Sequence, residues 1–442
     1  MYEVVVIGAG YGGMAIAALL ARRGHRVLVC EQGKVLGGRA RSDEHDGFIL
    51  DWGLHVNRFG DAGPAAEVLR RLGESIEWAE EGKAERSLVQ FNGRLYPRPD
   101  SVGGYLTTPM LSWPDRLRLV AILLRALRAR PEDWYAVTWA HFVRRTTRSP
   151  AVLKLCQLFN YAIYAPDIEA ASAGEVIYFV QRALKAPAVT AQPVGGTGQI
   201  VRKLERVICR TNEIRLGCKV DRILLDRGHA VGVLAGGEEI TAQAVVFTPP
   251  VQHLFRLVPD EALPTEFWEY AANLEPTACI AYDFGLQEPV SDLSGSVINL
   301  DGAFLMGSIP SNRDPSLVPQ GMQLASFLNA VAARDVTEKP VVDAETMRLR
   351  RWIAETFPGL FDRVLWERRL VIPLVDGVHL RVGQAYPDRH PIASPHIRGL
   401  FFVGDTVAAP ACSADIAFNA ALEAEELIEE YLQGGTANSN DR

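Results

Sequence analysis

Apolar and polar positions alternate in short, well-punctuated blocks over the first forty residues. Residues 4–7, Val-Val-Val-Ile, make a β-branched run of the kind buried on both faces of a parallel sheet. The run breaks at Gly8-Ala9-Gly10-Tyr11-Gly12-Gly13, after which residues 14–23 read as an Ala/Leu-rich helix ended by Gly24. Residues 26–30 are a second β-branched strand, closed by Glu31. Further on, Ala65, Val68, Leu69 and Leu72 give a helical stripe over 61–72, and alternation around Asn92-Gly93 predicts a hairpin over 85–96. Residues 112–185 turn helical, with helices expected at about 113–129, 138–147, 151–161 and 173–184. In the first of these Leu117, Val120, Ala121, Leu124 and Leu127 form an apolar stripe, which should cover a core. A helix at 199–209 leads into strand patterns over 214–224, a hairpin over 226–237 and an apolar strand at 244–247 that stops at Pro249-Pro250. Strands are predicted at 277–284, 303–307, 323–328 and 364–372, with a helix at 341–357 and turn-rich segments at 292–298 and 314–321. The apolar strand 400–403 precedes Gly404-Asp405 and a last helix at 415–432, and the polar tail 434–442 should be disordered.

The strongest chemical signal is the first block. Strand, Gly8-x-Gly10-x-x-Gly13, helix, strand and acid form the dinucleotide-binding fingerprint in its full context. Gly8 permits the tight turn, Gly10 lets a pyrophosphate reach the backbone at a helix N-terminus, and Gly13 allows close helix–strand packing. Glu31, 18 residues beyond Gly13, is positioned to accept hydrogen bonds from ribose hydroxyls and to disfavour a 2′-phosphate.

The residues just after Glu31 distinguish the dinucleotide. Leu36-Gly37-Gly38-Arg39-Ala40 is a second glycine-rich turn, and here the chain resembles the flavoprotein superfamily of amine oxidases, protoporphyrinogen oxidase and phytoene desaturases. Two later blocks fit the same resemblance: Gly195-Gly196-Thr197-Gly198 ahead of a helix, and Gly404-Asp405 ahead of the last helix. The resemblance implies non-covalently bound FAD, with Tyr11, Gly12, Gln32 and Gly38 beside the nucleotide and Arg39 near the diphosphate. It further implies that Leu54 and His55 pass close to the flavin, that Val220 holds the adenine through its backbone, and that Asp405 bonds the ribityl or diphosphate region. The start of the last helix, at Asp415 and Ile416, would face the flavin C2 carbonyl.

The implied fold is α/β with an α+β substrate part. A Rossmann-like FAD-binding domain of the glutathione-reductase type would be assembled from 1–80, 195–250 and 391–433. The substrate domain, 81–194 and 251–390, would carry a mixed sheet and a helical cap at about 108–190.

Composition narrows the partners. At 442 residues the chain exceeds one ordinary core, and a net charge of −7 gives no support for nucleic acid. The six cysteines lack any CxxC spacing and the histidines any HExxH, so neither a metal site nor a disulfide framework is indicated. A strand starting at residue 2 leaves no room for a signal peptide, and no apolar run reaches the ~20 residues of a spanning helix. A cytoplasmic protein is expected. Arg116, Arg118, Arg125, Arg128 and Arg130 beside the apolar stripe leave peripheral membrane contact through the cap open.

The motifs concern the cofactor, so the reaction rests on thinner grounds. No lysine occurs between Lys219 and Lys339, where amine oxidases of this superfamily often carry one near the flavin. The helical cap and the Gly-Leu-His55 sequence look closer to the phytoene desaturase, carotenoid isomerase and retinol saturase branch. Hydride transfer between flavin N5 and a carbon of a small apolar substrate is the leading reading. Amine oxidation, redox-neutral isomerisation and non-catalytic FAD binding are the alternatives. His55, Asp376, His379 and Tyr386 are the acid/base candidates, while Cys412 reads as a bystander.

Overall fold

A computed structural model describes residues 2–53, 57–80, 86–186 and 189–437. Two seven-stranded sheets organise them. In the first, Glu213–Leu216, Val27–Glu31, Tyr2–Ile7, Glu238–Phe247 and Leu400–Phe402 pair in that order, all parallel. Tyr2–Ile7 and Val27–Glu31 are buried on both faces along most of their length, which is why they lack polar alternation. The long strand Glu238–Phe247 also pairs antiparallel with His229–Ala235, which continues to Val220–Asp226. It thereby joins a three-stranded meander to the parallel sheet.

The helix Tyr11–Arg22 is buried at every position except its last, packed between this sheet, the helix Gly198–Ile208 and the final helix Ala414–Ala437. Gly24 ends it at φ +96°, with His25 N–H donating to Leu20 and Gly24 N–H to Ala21. That pair of bonds is a Schellman motif, and a left-handed residue is required at its centre.

The second sheet runs Val364–Ile372, Thr277–Leu286, Gln323–Ala332, Leu305–Ser308, Ser296–Asn299, Leu88–Phe91 and Arg94–Pro97. Its pairs are antiparallel except Ser296–Asn299 with Leu88–Phe91. The Asn92-Gly93 hairpin is present as expected. Ser296–Asn299 corrects the reading of 292–298 as a turn: its Ser and Gly flanks suggest a loop, but flanking strands on both sides satisfy its backbone. A third sheet of Asn57–Arg58, Thr190–Pro193 and Trp78–Glu80 has no counterpart in the sequence pattern.

The cap helices form close to their expected positions, at Trp113–Arg128, Trp139–Arg144, Pro150–Ala162 and Ala173–Ala183. The face of the first is a correction. Leu119, Ile122, Leu123 and Ala126 are its buried residues, whereas Leu117, Leu124 and Leu127 of the expected core stripe are exposed. Trp113, 59% exposed, extends the same outward stripe. Apolar residues occupy both faces of this helix, so periodicity alone cannot choose the buried one. Among the described residues no helix is long and apolar enough to cross a membrane.

Candidate active site

The first glycine turn is built by close approach. A Cβ on Gly13 would stand 2.0 Å from the Gly8 carbonyl oxygen, so helix and strand meet backbone to backbone. Gly10 differs: a Cβ there would meet nothing within 4 Å. No side chain caps the Tyr11–Arg22 helix, which leaves its first N–H groups facing that open space. The second glycine turn lies alongside. Gly37 N–H donates to Ala9 O at 2.8 Å, Gly10 and Gly37 form a parallel bridge, and a Gly38 Cβ would be 3.5 Å from Gly10 Cα. Glu31 closes the same corner, accepting from Ala9 N–H at 2.8 Å and Gly33 N–H at 2.6 Å. Gly217 and Cys218 donate to Gly33 and Glu31, bringing Val220 to the end of the second strand. Gln32 is exposed there.

From this corner the Gly38–Ala40 turn leads to the C-terminal motif, and the strip of residues between the two is the candidate cofactor cleft. Arg39 donates to both oxygens of Asp405, at 2.7 and 3.0 Å, and to the Val375 carbonyl at 2.8 Å. Its side chain is 41% exposed against 6% for Asp405, so the arginine reaches from the surface to a buried carboxylate. Burial opposes ionisation of Asp405, but Arg39 and the Gly377 N–H outweigh it and hold the carboxyl below its ordinary range. Gly404 precedes it, against the Thr248 carbonyl. Asp376 lies beside this pair and accepts from Ser413 Oγ at 2.9 Å. Burial and the neighbouring Asp405 charge push it up to about 6. Asp415, at the first turn of the last helix, is pushed up to about 7 by burial, against the opposing charges of Arg58 and Arg182. The Asp415 and Ile416 N–H groups donate to Cys412 and Ser413 carbonyls in a tight initial turn.

The acid/base candidates part company. Of the described candidates, only Asp376 lies with Arg39 and Asp405. His379 is held through its backbone by Glu275 and Gln384, and burial lowers its pKa. Tyr386 packs on Tyr135 and donates its N–H to Glu175, which is buried against Arg389. Their nearness to Asp376 in sequence does not bring either one to the cleft. His55 and Leu54 fall outside the described residues. Cys412 is buried, and burial pushes its thiol up to about 12, as suits a bystander.

Two side chains escape the sequence reading of roles. Asp51 Oδ1 accepts from Ser42 Oγ, Thr197 N–H and Thr197 Oγ, and so pins the Gly195–Gly198 turn, where Thr197 O also accepts from Tyr11 Oη. Arg58, on a strand of two residues, is felt by Asp415 and Asp376 at the cleft and also faces a cavity beneath the cap. Nothing in its local sequence marks it.

That cavity holds about 210 Å³. Leu123, Leu127, Phe159 and Phe179 of the cap, Ile298 of the second sheet and Phe304, just ahead of its strand Leu305–Ser308, line it, with Tyr161 stacked on Phe304 at 3.9 Å.

The residues present fit a dinucleotide cofactor. The uncapped helix, the uncovered Gly10 and an acid at the second strand make an anion-binding corner with a ribose site beside it.

Comparison with known proteins agrees. The family model described as flavin containing amine oxidoreductase matches residues 11–428. The chloroplastic prolycopene isomerase of Arabidopsis thaliana is 24% identical over 438 residues, covering 83% of this chain and 71% of its own. Phytoene dehydrogenase of Streptomyces griseus is 26% identical over 377 residues, covering 73% of this chain and 71% of its own. An oxidoreductase from Methanosarcina mazei shares the fold at TM-score 0.79 and 23% identity, covering 96% of this chain and 100% of that one. The chain therefore belongs to the flavin containing amine oxidoreductases, and is an FAD-dependent oxidoreductase.

Proposed function

We propose that this oxidoreductase makes or removes a carbon–carbon double bond in an apolar substrate. The observation that carries the reading is the cavity under the cap, walled mainly by aliphatic and aromatic side chains and meeting the cofactor cleft at Arg58. Bound FAD supplies a hydride acceptor and donor at the flavin ring. The chain's own residues do the rest. Gly8, Gly10, Gly12, Gly13 and Glu31 receive the adenosine diphosphate half, with Val220 at the adenine. Gly38, Arg39, Gly404 and Asp405 line the path toward the flavin. The apolar walls bind and orient the substrate and exclude water from its reacting carbon. Asp376, standing near 6 through burial beside Asp405, is the group suited to holding or passing a proton near neutral pH.

Similarity to prolycopene isomerase over 83% of the chain supports a second reading, redox-neutral isomerisation of an alkene in the same cavity. An amine substrate is less well served, because the ionic groups on the cavity wall are chiefly arginines.

Anaerobic titration of the FAD-loaded protein separates these readings. Bleaching of the flavin by a lipophilic alkene, or reoxidation of dithionite-reduced enzyme by a polyene, is the expected result. Change of alkene geometry without net oxidation favours the isomerase. Bleaching by small amines alone would overturn both.

A further inference from the structure

We propose that the substrate of this site is an anionic amphiphile: a long apolar chain ending in a carboxylate, whose head is taken by Arg58 and Arg313 at the sheet side of the cavity. The proposal rests on the apolar-substrate reading above and names what that reading leaves open.

The cavity is not uniformly apolar. Its outer part lies under exposed Val102, Leu124, Leu127 and Leu184. Its inner part meets the strand Thr190–Pro193, from which Thr190 and Gln192 point the same way, two residues apart. Arg58 lies opposite Thr190 in the antiparallel pair. Arg313 reaches Gln192 from the other side, Nη2 to Oε1 at 3.4 Å. Two guanidinium groups therefore flank one short stretch of strand.

Neither is fully satisfied by protein, although Arg58 also stands in the field of Asp376 and Asp415 on its other side. Arg58 Nε, Arg313 Nε and Arg313 Nη1 are buried and have no hydrogen-bond partner, and the same is true of Ser308 Oγ on the adjoining wall. The carboxylate next along the chain, Asp314, is committed elsewhere: its oxygens accept from Gly195 N–H, Ser316 N–H and Ser316 Oγ. A third arginine, Arg98, lines the cavity and donates to Ser296 Oγ at 3.0 Å. On the cavity side of Arg58 and Arg313 the only carboxylate among the described lining residues is Asp100, which is exposed.

Buried donors left unmet are costly, and a charged donor more so than a neutral one. What removes the cost is a group that only accepts. A carboxylate has two oxygens and about four lone-pair sites and donates nothing, so it can serve both arginines and the Ser308 hydroxyl together. A hydroxyl head would meet at most part of the deficit and carries no charge to offset the guanidiniums. An ammonium head would add a cation and further donors.

Calorimetric titration of the FAD-loaded protein with oleate, oleyl alcohol and oleylamine tests this, since one hydrocarbon tail carries three heads. Each is kept under its critical micelle concentration. Oleate is expected to bind at least about tenfold tighter than the alcohol, and the amine weaker than either. Arg313→Gln should lower oleate affinity about tenfold and change alcohol affinity less than about twofold. Alcohol binding as tight as oleate overturns the anionic assignment while leaving the apolar reading intact. Failure of all three to bind removes the apolar reading and this proposal with it. Equal losses for oleate and alcohol in Arg313→Gln also overturn it. Should that variant not fold, the three-head series on the wild-type protein decides alone.

Discussion

Adding one methyl group at two neighbouring glycines should separate cofactor binding from folding. At Gly10 the backbone sits at φ −75°, ψ −177°, a conformation open to any residue, and a Cβ would meet nothing within 4 Å. Gly10→Ala therefore introduces no clash in the protein itself. It should raise the stability of the FAD-free protein by about 0.4–1 kcal/mol, because alanine restricts the unfolded chain more than glycine does. The same methyl occupies the space through which a pyrophosphate must approach the helix N-terminus. FAD affinity should fall at least about tenfold, which corresponds to about 1.4 kcal/mol.

Gly13→Ala should behave in the opposite sense. Its Cβ would stand 2.0 Å from the Gly8 carbonyl oxygen, where real Cβ contacts essentially never fall below 3.0 Å, and 3.0 Å from Thr248 Oγ. The helix must retreat by about 1 Å from a sheet it meets backbone to backbone, and overpacking of that kind costs about 1–3 kcal/mol. Alanine's better helix propensity returns up to about 1 kcal/mol, leaving a net loss in the FAD-free protein. Thermal melts of the FAD-free variants, with FAD titrations followed by quenching of flavin fluorescence, measure both effects. A Gly10→Ala protein that binds FAD like wild type would refute the assignment of this turn as the diphosphate site.

The cleft and the cap carry three more expectations. Arg39→Ala leaves the buried Asp405 carboxylate without its main partner; because Arg39 is itself 41% exposed, the cost should be nearer about 2 kcal/mol than the larger values of fully buried pairs, with urea unfolding as the measure. Asp376 stands at about 6 rather than 3.8, so the folded protein holds a proton that the unfolded chain releases. That contribution is full below about pH 4 and is lost as pH rises through about 6, so the Tm of Asp376→Asn relative to wild type should climb across this window. The outward stripe of Trp113, Leu117 and Leu124, with Arg118 and Arg128 beside it, should bind anionic phospholipid vesicles. Replacing the three apolar residues by serine should abolish co-sedimentation and leave the Tm unchanged, and undiminished co-sedimentation would exclude that face.

Features dictated by local sterics are legible in the sequence. Gly8, Gly13, Gly24 and Asn92-Gly93 answer to demands made within a few residues, and each stands where its pattern predicts. The FAD assignment succeeds for the same reason, since its motifs are backbone shapes. The failures share a different cause. The cap helix Trp113–Arg128 touches packed core on one side and cavity or solvent on the other, and leucine is written the same way for all three. Arg58 and Thr190 pair across more than a hundred residues on strands too short to show a period. His379 and Tyr386 stand near Asp376 along the chain, yet partners at Glu275 and Glu175 draw them elsewhere. The cavity shows why this matters for function. Its walls come from well-separated segments, each locally unremarkable, and its character depends on which arginines end up without a carboxylate. Pairing is a tertiary property: Arg39 and Arg313 are indistinguishable as letters, but one is met by both oxygens of Asp405 while the other keeps buried donors open to a ligand. Under the anionic-head proposal, substrate selection lies in these unmet hydrogen bonds, and the head-group comparison tests it.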